Sequence, residues 1–537
     1  MQSNSALART IARFVGCVSL YLCLAGVAFA QAQTAESQST APAIKVTTHI
    51  VVLSVVVHDK SGKLVTNLSK DDFAVFENDE RQALDSFEPP PALPAGSELA
   101  NGPAAPAVSA TAAQPRTILV LDELNTISED IMFAAQKMQR YLLSQPALLP
   151  QATSIYLLNK RRLEAFAPQT RDRDALVARL KTNFIELPPH YLDSGGVQGG
   201  ADRLVASLMA LDEIALSNAD QKGRKNVIWV GNGIPILSDA NISGFDRSRF
   251  QNWVHYTANW MEETQTTVYM VDPRGVEVSP ASVTTGGSLS LLTGPDFTAG
   301  ELVFEQVAAE SGGAILRNRN DIDVEIASAV HDGGSYYTIA YYPTNRNYDG
   351  GFRRIKIKIE TPGVYARTQQ GYYAYPDGFE NNGEQIDFAL SRSVTSLLPF
   401  RSISFSATGE RLTAPAQKNS KSELPSARLI LAIQRDGLSW TPQPDGSQRA
   451  EVSLVTSELS SSNKVLGYKV REVELIVEKS RWQEAFANQP VELSVRLDLP
   501  AKTDRIRLVV RDSASGHLGT FDLPAGSLVA ANIAPSR

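Results

Sequence analysis

Residues 116–126 read Arg116-Thr117-Ile118-Leu119-Val120-Leu121-Asp122-Glu123-Leu124-Asn125-Thr126. Ile118 to Leu121 is a continuous apolar run, too short for a helix and without alternation. That pattern belongs to a strand covered on both faces, as in the middle of a parallel sheet. The run stops at Asp122. A helical spacing begins at once with Ser128, Ile131, Met132, Ala135, Met138 and Leu142. Ligands of open α/β sheets lie outside the carboxyl ends of the strands. Asp122, Asn125 and Thr126 are therefore the first candidate site.

Working outward, the same alternation continues. Ser154–Leu158 reads as a strand and Asp172–Lys181 as a helix. A glycine-rich loop, Asp193–Gly200, leads into a helix over Asp202–Ser217. Asn226–Val230 is a second buried run, ending at Gly231-Asn232-Gly233. A helix over Arg247–Glu263 precedes the run Thr267–Val271, which ends at Asp272-Pro273-Arg274-Gly275. A helix over Glu301–Ser311, a short edge strand at Ala314–Leu316 and a helix over Asp321–His331 complete the series. Strands alternating with helices predict a doubly wound, mostly parallel sheet over residues 116–332.

The flanks are β-rich. Ile44–His58, Phe73–Glu77 and Leu84–Phe87 form a meander too small to stand alone. After Gly333-Gly334, strands are expected at Tyr336–Tyr342, Phe352–Glu360 and Val364–Arg367. The expectation is one β-sandwich built from residues 44–88 and 333–376, with the α/β domain inserted in it. Residues 89–115 are a Pro/Ala-rich linker and 377–384 a polar one. Residues 385–537 are expected to be a second all-β domain, immunoglobulin-like.

Residues 1–30 read as a signal peptide: Arg9 and Arg13, an apolar stretch from Phe14 to Val27, then Ala28-Phe29-Ala30. Residues 31–43 are a polar lead-in, expected to be disordered. Both cysteines, Cys17 and Cys23, fall in the leader. The exported chain is then periplasmic, extracellular or at the cell surface, without disulfides, and it needs real apolar cores. Its 537 residues, 43% hydrophobic and 20% charged, fill about three domains. Loss of the two leader arginines takes the formal charge from -7 to -9, which argues against nucleic acid as a main partner. No other stretch is long and apolar enough for a transmembrane segment in the mature chain.

The order strand–Asp122–x–Leu124–Asn125–Thr126–helix, with later strands ending in Gly231-Asn232-Gly233 and Asp272-Pro273-Arg274-Gly275, resembles the von Willebrand factor type A fold. Three further stretches resemble, more closely, the acidobacterial-type VWFA-related family of secreted proteins. They are Leu68–Glu77 (with Gln82 and Phe87), Gly223-Arg224-Lys225-Asn226-Val227, and Tyr336–Pro343 with Gly351–Ile355 and Gly371-Tyr372-Tyr373. The resemblance runs over roughly residues 44–375.

It implies a divalent cation, Mg2+ or Mn2+, held by an Asp-x-Ser-x-Ser loop with a Thr and an Asp from other loops. A hard cation of this kind collects several oxygens. Asp122 matches the first Asp and Thr126 the last Ser. Leu124 replaces the middle Ser, and Asn232 stands where the distal Asp is expected, so the site is degenerate. Ser194 or Asp193 stands in for the Thr. The binding face then adds Asn125, Ser194 and Asp272. The same residue types at 122, 125 and 126 also suit a cap on the following helix.

Catalytic signals are sparse. There is no Gly-x-Ser-x-Gly and no His-Glu-x-x-His. Domain type, export and missing motifs together predict a non-enzymatic binding or adhesion-type protein with a protein or glycan partner. The alternatives are a structural or assembly component of the envelope, and a hydrolase using Ser194 with an acid such as Asp272. Tyr336, Tyr337, Tyr341, Tyr342, Tyr372, Tyr373 and Tyr375 are either sandwich core and rim or an aromatic binding surface.

Overall fold

The computed structural model describes residues 49–90, 114–159, 162–183, 196–231, 244–274, 304–316, 319–376, 383–412, 425–482 and 489–530. The leader, the lead-in, most of both linkers, Ser194 and Asn232 lie outside these residues.

Alternating apolar side chains build the first layer. Its early strands are β1 (Val51–Asp59), β2 (Phe73–Glu77), β3 (Glu80–Gln82) and β4 (Leu84–Glu88). Asn78 and Asp79 turn β2 into β3 at φ of 47° and 66°, a left-handed conformation that Asn and Asp tolerate. The α/β elements follow in order: β5 (Arg116–Asp122), α1 (Ser128–Ser144), β6 (Leu148–Leu158), β7 (Leu163–Asp172), α2 (Arg173–Asn183), α3 (Gly196–Ser217), β8 (Lys225–Val230), α4 (Gly244–Glu263), β9 (Thr266–Val271), α5 (Phe304–Glu310), β10 (Ile315–Leu316) and α6 (Ile322–Gly334). Strands β11 (Tyr337–Tyr341), β12 (Phe352–Ile359), β13 (Val364–Arg367) and β14 (Gly371–Tyr373) return to the first layer.

Strands from before and after the α/β elements pair with one another. β1 pairs antiparallel with β11 from Val51↔Tyr341 to Val55↔Tyr337, and β12 pairs with β2. The two sheets run β13-β1-β11-β4 and β14-β12-β2-β3. They enclose Leu53, Val55, Val75, Tyr337 and Ile339.

The α/β sheet runs β10-β9-β8-β5-β6-β7. Ile118, Val120, Val227 and Trp229 face α3, α4 and α5 on one side. Leu119, Leu121, Ile228 and Val230 face α1, α2 and α6 on the other. Burial on both faces is why these strands are apolar without alternation.

The last region begins with α7 (Gly383–Thr395). Its strands are β15 (Phe405–Leu412), β16 (Ser426–Ile433), β17 (Thr441–Pro442), β18 (Gln448–Leu459), β19 (Val465–Val477), β20 (Val491–Asp498), β21 (Arg505–Asp512), β22 (Leu518–Pro524) and β23 (Val529–Ala530). One sheet runs β20-β16-β15-β23 and the other β17-β18-β21-β22, with β19 on the edge of β18.

The expectation of a doubly wound, mostly parallel von Willebrand A-like sheet as the organising fold is corrected. Among the described residues the structure is mostly β, 43% strand against 26% helix, and antiparallel sheets dominate it. The one α/β sheet is mixed, because β7 lies antiparallel to β6. The connection from Leu158 to Leu163 is too short for a crossover. A parallel neighbour needs a dozen or more connecting residues, whereas a short turn gives only a hairpin.

Buried polar side chains join the layers. Arg224, 1% exposed, donates from Nε to Asn226 Oδ1 (2.9 Å), from Nη1 to the Ser54 carbonyl (3.3 Å) and from Nη2 to the Tyr269 hydroxyl (3.1 Å). Its own N–H donates to the Tyr336 hydroxyl (3.0 Å). At the other side, Arg392 of α7 pairs with Asp212 of α3 at 2.5 Å, and Ser396 donates to Glu213 at 2.8 Å. Leu216, Trp260, Phe400 and Val509 pack around this second joint.

Arg224→Met should destabilise the chain by about 3 kcal/mol, since three buried acceptors lose their donor at once. The midpoint of denaturant unfolding measures it. Arg224→Lys should recover little, because one ammonium does not span three acceptors.

Candidate functional site

Asp122 closes the central strand β5, and its carboxylate is fully buried. Oδ1 accepts the Asn125 N–H at 3.0 Å and Asn125 Nδ2 at 3.2 Å. Oδ2 accepts Asn125 Nδ2 at 2.9 Å and the Trp229 indole N–H of β8 at 3.0 Å. Asn125 Nδ2 also donates to Ser207 Oγ of α3 at 3.0 Å. The backbone N–H groups of Glu123 and Leu124 donate to the Leu158 carbonyl at 2.9 and 3.1 Å. Thr126 is fully buried beside Gly231. A Cβ at Gly231 would lie 2.6 Å from Asp122 Cβ and 3.0 Å from Thr126 Oγ1, so only glycine fits.

The structure thus brings Asp122, Asn125 and Thr126 together. The residue at the N-cap of α1 is Ile127, whose side chain makes no capping hydrogen bond. Leu124 packs into the apolar core with Ile118 and Val120. Burial pushes Asp122 up to about 6, against the lowering effect of the Asn125 and Trp229 hydrogen bonds.

These residues do not fit a directly bound Mg2+ or Mn2+. A hard cation needs several free oxygens, whereas both oxygens of Asp122 already face N–H donors, and Leu124 offers no ligand atom. Among the described residues, no group of three or more His, Cys, Asp or Glu is placed to hold a metal. Asn232 and Ser194 lie outside the described residues.

Asp272, after β9, is held by Arg274. Its Oδ1 accepts the Arg274 N–H at 3.0 Å, and Oδ2 accepts Nη2 at 2.5 Å. This is a turn closed by its own arginine. Glu325, in the first turn of α6, has no place among the sequence candidates. It is 3% exposed, and among the described residues neither carboxylate oxygen has a hydrogen-bond partner. Burial pushes it up to about 7; Arg319 opposes this, while Asp321 and Asp272 add to it. An acid in a first helical turn reads in sequence as an ordinary dipole partner, which hides it.

The tyrosines are interior rather than a binding surface. Tyr336, Tyr337 and Tyr341 are 3%, 1% and 0% exposed, while Tyr342 is exposed. Tyr341 and Tyr372 donate to Glu77 at 2.9 and 3.0 Å, and Glu77 pairs with Arg353 at 3.2 Å. His255 stacks on Tyr373 with ring centroids 3.8 Å apart, and burial pushes it down to about 4.

No family model matches the chain, and no curated protein matches it. Solved structures give only distant likenesses. One is the N-terminal domain of TFIIH p34, 13% identical over 40% of this chain and 96% of that one, with a TM-score of 0.20. Another is the pilus adhesin SpaC from Lactobacillus rhamnosus GG, 6% identical over 75% of this chain and 54% of that one, with a TM-score of 0.23. A structural-genomics target, SoR45, is 10% identical over 25% and 96%, with a TM-score of 0.15. At these scores the likenesses carry no argument about fold or activity.

Gly231→Ala should destabilise by about 2 kcal/mol through the clash with Asp122, read by thermal unfolding. For His255, the folded value lies below the unfolded 6.5, so its stabilisation is lost as pH falls from 6.5 towards 4. His255→Gln should remove up to about 2 kcal/mol of that acid sensitivity, seen in urea midpoints measured across the window.

Proposed function

We propose that the protein is an exported, non-enzymatic binding or assembly module. It presents the carboxyl end of its mixed sheet to a protein or glycan partner. The observation that carries this reading is where the interior charge goes. Arg224, Arg353, Arg392 and Arg507 are all buried, and each is spent on holding elements or layers together. That arrangement suits rigid presentation of a surface. Asp272, the acid of the hydrolase alternative, is engaged by Arg274. Among the described residues, no helix is long and apolar enough to cross a membrane. Export rests on Arg9, Arg13 and the apolar run that follows them.

The test is retention of the purified full chain on envelope fractions and on glycan and protein arrays. Saturable retention supports the proposal, and its absence from every surface counts against it. Turnover on ester, peptide or glycoside substrates, lost in Ser194→Ala, would replace it with the hydrolase.

A further inference from the structure

We infer that the carboxylate at the end of the central strand is a tie between β5, β8 and α3 rather than a cation ligand. N–H donors reach both oxygens of Asp122: Asn125 N, Asn125 Nδ2 to each oxygen, and Trp229 Nε1. N–H groups aimed at a point favour negative charge there and repel a cation. A metal would have to displace the Trp229 indole, which is itself fully buried and packed in the core. It would also have to separate Asn125 from Ser207, the contact that carries the tie to α3. The neighbouring ligand position is taken by Leu124, whose side chain belongs to the same core. Gly231 approaches Asp122 and Thr126 so closely that even a Cβ there would lie 2.6 Å from Asp122 Cβ and 3.0 Å from Thr126 Oγ1.

The inference does not depend on the binding proposal, because its test needs no partner. The full chain is unfolded thermally in chelator and in millimolar Mg2+, Mn2+ or Ca2+, as wild type, Trp229→Phe and Asp122→Asn. The wild type should melt at one temperature in all four solutions. Both variants should melt several degrees lower in chelator, since each leaves buried donors or acceptors unmatched. A cation at a hundred times its dissociation constant would raise the midpoint by several degrees. Such a rise in the wild type, abolished by Asp122→Asn, overturns the inference. A second readout holds even where a variant does not fold. The Trp229 indole N–H resonance should survive addition of Mn2+, whereas a paramagnetic ion on Asp122 would erase it, and its erasure overturns the inference.

Discussion

The guanidinium of Arg224 is the contact on which the arrangement of layers depends. It sits at the amino end of β8 and reaches β1 through the Ser54 carbonyl and β9 through the Tyr269 hydroxyl. Tyr336, just before β11, receives the Arg224 N–H, and its ring lies under the guanidinium. Asn226, which fixes Nε, donates in turn to the Gly333 carbonyl at the end of α6 at 2.7 Å. A Cβ at Gly333 would lie 2.2 Å from Asn226 Cγ, so glycine is needed for that approach. One side chain thus registers the sandwich against the mixed sheet. Buried polar groups of this kind are tolerated only when satisfied, and Arg224 satisfies acceptors from both layers.

The same logic recurs at the other joints. Glu77 and Arg353 are each 3% exposed and sit between the two sheets of the first sandwich, with Tyr341 and Tyr372 donating to the carboxylate. Arg392 and Asp212 join α7 to α3, and Arg507 pairs with Asp522 at 2.6 Å. Buried ion pairs add little net stability over apolar packing, but losing one partner is strongly destabilising. Their effect is therefore to make one arrangement of the layers far better than its neighbours.

Much of this was legible as pattern and little of it as partnership. The apolar run Asn226–Val230 falls on β8 (Lys225–Val230) because burial on both faces leaves no other composition. The direction of β7 lay in the length of the connection after Leu158 and not in its hydropathy, which is blind to strand sense. Asp122 was readable as an acid at a strand end. Its indole donor lies 107 residues away, and no local spacing shows that an oxygen is already taken. The tyrosines of β11 were ambiguous for a related reason. A tyrosine that bonds a buried glutamate looks, in sequence, like one that faces a ligand.

The distribution of charge over the mixed sheet explains why an acidic strand end misleads. Lys225, at the amino end of β8, donates to the Gln221 carbonyl and to the Thr264 carbonyl at 2.7 Å, beyond the ends of α3 and α4. Helices leave carbonyls unpaired at their carboxyl ends and N–H groups unpaired at their amino ends. In an α/β layer, helices that follow parallel strands start near the carboxyl ends of those strands. Acids then gather where helices start, as Glu129 and Asp130 do on α1 and Asp323 and Glu325 on α6. This segregation follows from the helix dipole and needs no ligand. An acid at a strand end becomes evidence for a cation only when its oxygens remain open, and those of Asp122 are closed by Asn125 and Trp229.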